Sequence, residues 1–481
     1  MAKAPFVRVN FRASGDRRRV NAEDIVRTLI EEVSEGRLPA GSRLPPVRAL
    51  EHELGISKNT VQSAYDELCA RGVLQTKEQD GVLGSECTGP TPSSFVTHAP
   101  AARLAEQPID RPREAEPDVL PLSMVFIDPE LLPRERVAEC IRSVLSIPGL
   151  HSLYDAQGHA PLREVIAKRL QARGMDVVAG DIVITTGSQQ ALDAVCRALA
   201  QRRIATENPV YQQAQALFAS LGAELSGLRL DPFGPVPFDE WRDVLSRARP
   251  ELLYCVTSFH NPTGRSYSTH ELLQLLGLAN EFSFAILEDD WGSDMLSCDE
   301  YRPTLRALGG RNVMYVNSFT KKLLPSLRLG FVAGNAETVP ALVAAKRVAT
   351  LGNPTLIEAA MCEFLERGYF DTHLAQMQAE LDRRYARCLS ALEALMPEGV
   401  RWTSPGGGPL IWLELPRDFA LPALAERLLA RKVRIGLMPR AFQGEPHLHG
   451  FPIGYAYLPT PTLTRGLEIL AEELKATSRA A

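Results

Sequence analysis

Apolar positions divide this chain of 481 residues into two patterns separated by a break. In the first pattern Ile25, Val26, Leu29, Ile30 and Val33 recur at helical spacing behind Asn21, a residue suited to capping a helix. Leu44-Pro-Pro-Val-Arg-Ala-Leu-Glu-His-Glu-Leu54 predicts a second, short helix with prolines at its start. Gly55-Ile-Ser57 predicts a sharp turn, and Ser57 a cap for a third helix whose Val61, Ala64 and Leu68 face inward. Val73–Thr76 and Val82–Gly84 read as two short strands joined through Gln79-Asp-Gly81, because Asp-Gly favours a tight hairpin turn. From Thr88 to Asp118 the periodicity stops: prolines fall at 90, 92, 100, 108, 112 and 117 among polar residues, the composition of a semi-extended linker. Beyond it, short β-rich runs alternate with amphipathic helices, which predicts an α/β unit with a mainly parallel sheet flanked by helices.

Composition narrows the class. An apolar share of 45% is enough for two or three cores in a chain of this length. Formal charge is −5, and residues 1–90 hold 13 Lys+Arg against 13 Asp+Glu, so a case for nucleic acid rests on where charges sit and not on bulk charge. The eight cysteines are scattered, without Cys-x-x-Cys or a Cys/His cluster, which argues against structural zinc and a disulfide framework and fits a cytoplasmic protein. No stretch approaches a membrane span and the opening Met1-Ala-Lys-Ala-Pro-Phe has no long apolar run, so neither secretion nor membrane insertion is expected. His447 and His449 form a His-x-His pair with no further ligand nearby, so they read as loop residues and no metal is expected.

In the third helix Lys58, Asn59 and Gln62 point outward from the first turns, where side chains meet base edges and free backbone N–H groups meet phosphate. The stretch LPPVRALEHELGISKNTVQSAYDELCARGVL resembles the winged helix-turn-helix of the GntR family, over residues 21–84. That resemblance implies a double-stranded DNA operator contacted by Arg48, Ser57, Lys58, Asn59, Thr60 and Gln62, with Gly81 at the wing tip. Arg17-Arg-Arg19 reads either as a grip on the DNA backbone or as a solvated run.

The second pattern carries a different chemistry. Ile182–Thr185 is an apolar strand that passes through Gly187 into a helix, leaving the N–H groups of Ser188 and Gln189 free to cradle a phosphate. Tyr211, after Glu207-Asn-Pro209, either stacks on a flat ring or fills a core. Then come Asn261 in His260-Asn-Pro-Thr-Gly264, Asp289 in Ala285-Ile-Leu-Glu-Asp-Asp290, and Lys321 in Asn317-Ser-Phe-Thr-Lys-Lys-Leu-Leu-Pro-Ser-Leu-Arg328. A lysine amine forms an imine with an aldehyde, and a carboxylate at a strand end keeps a pyridine nitrogen protonated. Asn261 suits a phenolic oxygen, Ser318 can donate to a phosphate, and Arg328 suits a bidentate phosphate contact.

In this order the residues resemble the fold-type I pyridoxal-phosphate enzymes of the aminotransferase class, over about residues 119–475. With the front unit, the whole resembles the MocR subfamily of GntR regulators. The resemblance implies an N-terminal extension (1–20), a winged helix-turn-helix (21–87), a linker (88–118) and an aminotransferase-like body (119–481), large part about 150–340 and small part about 341–481. It implies pyridoxal 5'-phosphate as a Schiff base on Lys321, and a homodimer in which Tyr154 reaches the cofactor phosphate of the neighbouring subunit. Three positions depart from the family. Trp291 replaces a tyrosine beside the cofactor, Val125 replaces a glycine, and Pro452 stands where an arginine would clamp a substrate carboxylate, with Arg440 as a candidate replacement charge. The expectation is therefore a transcriptional regulator that senses a small amine or amino-acid-like effector through the Lys321 imine. Two alternatives stand beside it: a working aminotransferase with an accessory DNA-binding domain, and a sensor of vitamin B6 status.

Overall fold

A computed structural model describes residues 6–12, 20–39, 41–77, 81–84, 118–150, 154–295, 302–310 and 312–478. The chain divides into two compact units, Met1–Pro112 and Arg113–Ala481. The expected linker, apart from Asp118, and the run Arg17–Arg19 lie outside the described residues.

The first unit is built on helices α1 (Ala22–Ser34), α2 (Val47–Leu54) and α3 (Lys58–Ala70) and a hairpin of β1 (Leu74–Lys77) and β2 (Gly81–Gly84). Asn21 starts α1 with a reciprocal cap: its Oδ1 accepts from the Asp24 N–H at 2.9 Å while Asp24 Oδ2 accepts from the Asn21 N–H at 3.1 Å. Gly55 ends α2 in the left-handed conformation (φ 63°), the turn that lets α3 cross it. Ile25, Leu29, Leu50, Val61, Ala64 and Leu68 form the centre of this core, and Tyr65 joins them by donating its hydroxyl to the Pro45 carbonyl at 2.8 Å. Residues 6–12, expected to be an extension apart from the domain, instead belong to it. Val9 and Phe11 are buried in the same core, Val7 N–H donates to Arg43 O at 2.9 Å, and Arg8, Asn10 and Arg12 face outward with the alternation of an extended segment.

In the second unit a seven-stranded sheet is formed by β4 (Ile182–Thr185), β5 (Arg203–Asn208), β6 (Glu224–Arg229), β7 (Leu252–Cys255), β8 (Ala285–Asp289), β9 (Val313–Ser318) and β10 (Gly330–Ala333). Its order is β4-β10-β9-β8-β7-β5-β6; β10 runs antiparallel to both neighbours and the other pairings are parallel. Strands β4, β7, β9 and β10 are buried at every position, which is why they read as continuous apolar runs and not as alternation. A smaller layer holds β11 (Arg401–Trp402), β12 (Leu410–Glu414) and β14 (Gly450–Gly454). Beside it β13 (Val433–Arg434) pairs in parallel with β3 (Leu120–Pro121), the first strand of the unit.

The division between these lobes falls later than residue 340. The helices Val339–Thr350 and Thr355–Glu366 pack on the large sheet's core, which continues into the long helix Tyr369–Leu395 as far as Leu381. The smaller core takes over at Cys388 and Leu392, and also recruits Leu122 from the start of the unit. Hydrophobic faces set this boundary, since each helix stays with the sheet that covers its apolar side. Among the described residues no helix is long and apolar enough to cross a membrane.

Candidate functional site

The parallel strands of the large sheet direct their carboxyl ends toward a cavity of about 140 Å³, the place where open α/β sheets bind ligands. Its walls include Ser188, Gln189, Tyr211, Asn261, Asp289, Trp291, Ser318, Lys321 and Arg328, all singled out in the sequence. Gly187 backs it: with φ 89° it starts the helix Ser188–Ala198, and a Cβ there would stand 3.0 Å from Arg328 Nη2. Arg328 also donates to Thr186 O at 3.2 Å, so guanidinium and free helix N–H groups converge on one spot.

Lys321 and Lys322 are neighbours in sequence with opposite surroundings. Lys322 is buried, donates to Asn317 Oδ1 at 2.6 Å and pairs with Asp294. The Lys321 Nζ lies 4.4 Å from the Phe126 ring centroid and 5.4 Å from that of Trp291, and no hydrogen bond or ion pair holds it among the described residues. Apolar surroundings push this amine down to about 8; Asp289 opposes the shift and Arg328 adds to it. The same split recurs along the site. Asp289 and Ser318 line the cavity, while Asp290 and Asn317 belong to a buried network behind it, where Tyr315 donates to Asp290 at 2.6 Å and Arg173 donates to Asp290 at 3.0 Å.

Asp289 closes β8 and is 3% exposed. Tyr254, from the adjacent strand β7, donates to its Oδ2 at 2.9 Å, whereas its Oδ1 is buried without a partner. Burial raises this carboxyl to about 7, the Tyr254 bond opposes the rise, and Asp290 adds to it. Tyr211 is pushed up to about 12, mainly by burial. Ser318, read as a phosphate donor, spends its hydroxyl on Leu329 O at 3.2 Å and accepts from the Thr320 N–H at 3.1 Å. Thr320 Oγ1, two residues on, is buried and unpartnered in the cavity wall.

Phe126, Tyr254, Val256 and Thr320 complete the lining and were not singled out in the sequence. Phe126 arrives on the loop that precedes the helix Arg134–Leu145, and that loop is fixed from the small lobe. Arg384 and Asp128 form a buried ion pair at 2.7 Å, Arg384 also donates to Ala456 O and Leu458 O, and the Gly454 N–H donates to Leu122 O at 2.6 Å. Pro452 is buried in β14 opposite Trp412, with its carbonyl accepting from Ser123 Oγ. Neither Pro452 nor Arg440 is in the cavity wall. Tyr154 also lies away from the wall and is 66% exposed. His447 and His449 each direct Nε2 to a backbone carbonyl, of Leu230 at 3.1 Å and of Phe419 at 2.8 Å.

In the first unit Ser57 Oγ accepts from the Thr60 N–H at 3.2 Å and caps α3. Arg48, Lys58, Asn59 and Gln62 are exposed and Thr60 is half-buried; Gln62 donates to Asp66 one turn on at 2.8 Å. Gly81 opens β2, while residues 78–80 of the turn before it lie outside the described residues.

Comparison with known proteins matches residues 127–447 to the family described as aminotransferase class I and II, and residues 21–83 to the bacterial regulatory proteins of the gntR family. The rhizopine catabolism regulatory protein MocR of Rhizobium meliloti, described as probable, is 28% identical over 91% of this chain and 90% of its own length. The chain is a MocR-type GntR regulator with a class I and II aminotransferase body. This MocR-type chain is likewise similar to the uncharacterized HTH-type transcriptional regulator YisV of Bacillus subtilis, 27% identical over 92% of this chain and 93% of the relative. The body resembles the crystal structure of LysN, an α-aminoadipate aminotransferase of Thermus thermophilus complexed with N-(5'-phosphopyridoxyl)-L-leucine. The TM-score is 0.70 and identity 30%, over 76% of this chain and 94% of that one. Class I and II aminotransferase folds are pyridoxal-phosphate dependent.

Proposed function

We propose that this MocR-type regulator holds pyridoxal 5'-phosphate in the Lys321 cavity and changes its DNA binding when a small primary amine enters the same cavity. The observation that carries the reading is the pair of uncommitted groups facing one space: the Lys321 amine, depressed to about 8, and the Asp289 Oδ1, buried without a partner. A ring N–H would satisfy that oxygen, and a phosphate would satisfy Thr320 Oγ1, Arg328 and the N–H groups that follow Gly187. These residues fit the cofactor.

When bound, the cofactor supplies an aldehyde that condenses with primary amines. The protein's part is positional. Asp289, oriented by Tyr254, would hold a proton on the ring nitrogen; Asn261, in the same wall, would donate to the phenolic oxygen; Tyr211 would offer a ring face. Lys321 Nζ would take up the protons that an incoming amine gives up, and its lowered pKa leaves a larger neutral fraction for return than an ordinary lysine has. An effector with different contacts from those of Lys321 shifts the balance between two arrangements of the regulator by its differential affinity. Lys58, Asn59 and Gln62 would read the operator from the start of α3, with Arg48 on the backbone. The functional particle would be a homodimer, with the exposed Tyr154 directed to the partner's cofactor phosphate.

A second reading, turnover as an aminotransferase, draws on the likeness to the α-aminoadipate aminotransferase. Visible absorbance of the purified protein with added pyridoxal phosphate tests the first: a band lost in Lys321→Ala is expected, and a wild type that stays colourless refutes it. Footprinting upstream of its own and neighbouring genes, with and without cofactor, tests the DNA arm. Multiple turnovers across amino donors and 2-oxo acceptors would favour the second reading.

A further inference from the structure

We infer that the amine read at Lys321 carries an apolar or aromatic group and no carboxylate on its amine-bearing carbon. This rests on the cofactor reading and goes further, to the chemical class of effector.

The cations of the cavity wall, among the described residues, are Lys321 and Arg328. Arg328 is committed to the helix-start side: it donates to Thr186 O and stands against Gly187, where a phosphate belongs. No other described side chain of the wall carries a positive charge for a second anion. A carboxylate brought into such a space loses water without gaining a cationic partner, and the neutral donors of the wall, Trp291 Nε1 and Asn261 among them, return less than that cost. Pro452 does not relieve it, since a proline has no N–H and its carbonyl already accepts from Ser123.

What surrounds the amine position is apolar. Phe126 and Trp291 flank Lys321 Nζ at 4.4 and 5.4 Å, and Val256 adds to the same wall. Ring faces at this distance favour a cation or a protonated amine before it reacts and an apolar substituent beside it. Phe126 is not a loose lid. The Asp128–Arg384 ion pair, the Asp128 N–H donating to Ala456 O at 3.0 Å, and Gly454 pressed against Met124 fix its loop; a Cβ on Gly454 would lie 1.9 Å from Met124 O. The ring is thus held ready before a ligand arrives, which favours binding by removing the ordering cost.

The test uses the full-length protein loaded with pyridoxal phosphate, titrated with 2-phenylethylamine and with L-phenylalanine, which differ only by the carboxylate. The shift of the visible band is followed. Phenylethylamine is expected to half-saturate at a concentration roughly tenfold or more below that of phenylalanine, the effect of one unpaired buried charge discounted for an open mouth. Phe126→Ala is expected to raise the phenylethylamine value roughly tenfold, with Phe126→Leu recovering part of it. Phenylalanine binding as tightly as phenylethylamine, or more tightly, overturns the inference while leaving the cofactor reading intact. A protein with no visible band overturns both.

Discussion

Replacing Asp289 by Asn should make the cofactor-free body more stable and the cofactor-loaded one weaker. The wild-type carboxyl is raised from 3.8 to about 7, chiefly by burial. That is roughly three units at about 1.4 kcal/mol each, so its ionisation costs the empty native state up to about 4 kcal/mol. The substituted side chain would still accept from the Tyr254 hydroxyl, but its amide nitrogen would take the place of the unpartnered Oδ1 and find no acceptor, a cost of about 1–3 kcal/mol. A net gain of about 1–3 kcal/mol remains at pH 8. The sign follows from proton uptake: a raised carboxyl binds more protons in the native state between pH 4 and 7, so wild-type stability falls as pH rises through that window, and the variant lacks this fall. Its advantage should widen by about 2–3 kcal/mol from pH 5 to pH 8. Urea unfolding followed by tryptophan fluorescence reports it cleanly, because all four tryptophans (Trp241, Trp291, Trp402 and Trp412) lie in the body. An advantage that is equal at both pH values, or a variant less stable at pH 8, would refute the assignment of Asp289 as an unsatisfied buried acid awaiting a ring nitrogen.

Three further outcomes are expected. Lys321→Ala should carry no borohydride-stable adduct at this position by peptide mass mapping, whereas Lys322, already ion-paired, should stay unmodified in the wild type. Gly187→Ala should weaken cofactor retention in equilibrium dialysis by roughly tenfold or more, since φ 89° and the nearby Arg328 both resist a side chain. Lys58→Ala should lower the slope of log K against log salt by about 1 in operator titrations, while Ser57→Ala should cost the reader about 1 kcal/mol in a thermal melt by loss of the cap bond.

The reader and the centre of the cavity were legible because their signals are local. Asn21, Gly55 and Ser57 punctuate helices within a few residues, and Lys321 and Arg328 lie seven apart on one segment between β9 and β10. Phe126 was not legible, although its neighbour Val125 stands out as a departure from the family. What brings it over Lys321 is an ion pair between residues 256 apart, Asp128 and Arg384, for which no short motif exists. Tyr254 was hidden inside the apolar run Leu252–Cys255, where a hydroxyl aimed at Asp289 looks like one more core residue. The lobe boundary was misplaced for a similar reason: helical periodicity gives an apolar face but not the sheet that face will meet. In residues 6–12 the alternation was present in plain sequence, yet it stands ahead of the resemblance that framed the reader.

The fixed loop under Phe126 has a consequence for how far a signal must travel along the chain. Asp118, the last residue of the expected linker, precedes Phe126 by eight residues, a contour length of at most about 28 Å even fully extended. Within that span β3 pairs with β13 and Leu122 enters the small lobe's core, so the segment is anchored along its way. On the proposed reading, an amine that packs against the pre-held Phe126 ring would bear on the segment that leads back through β3 toward the linker, without crossing the seven-stranded sheet. If amine binding changes operator affinity, reciprocity requires that bound DNA change amine affinity by the same factor.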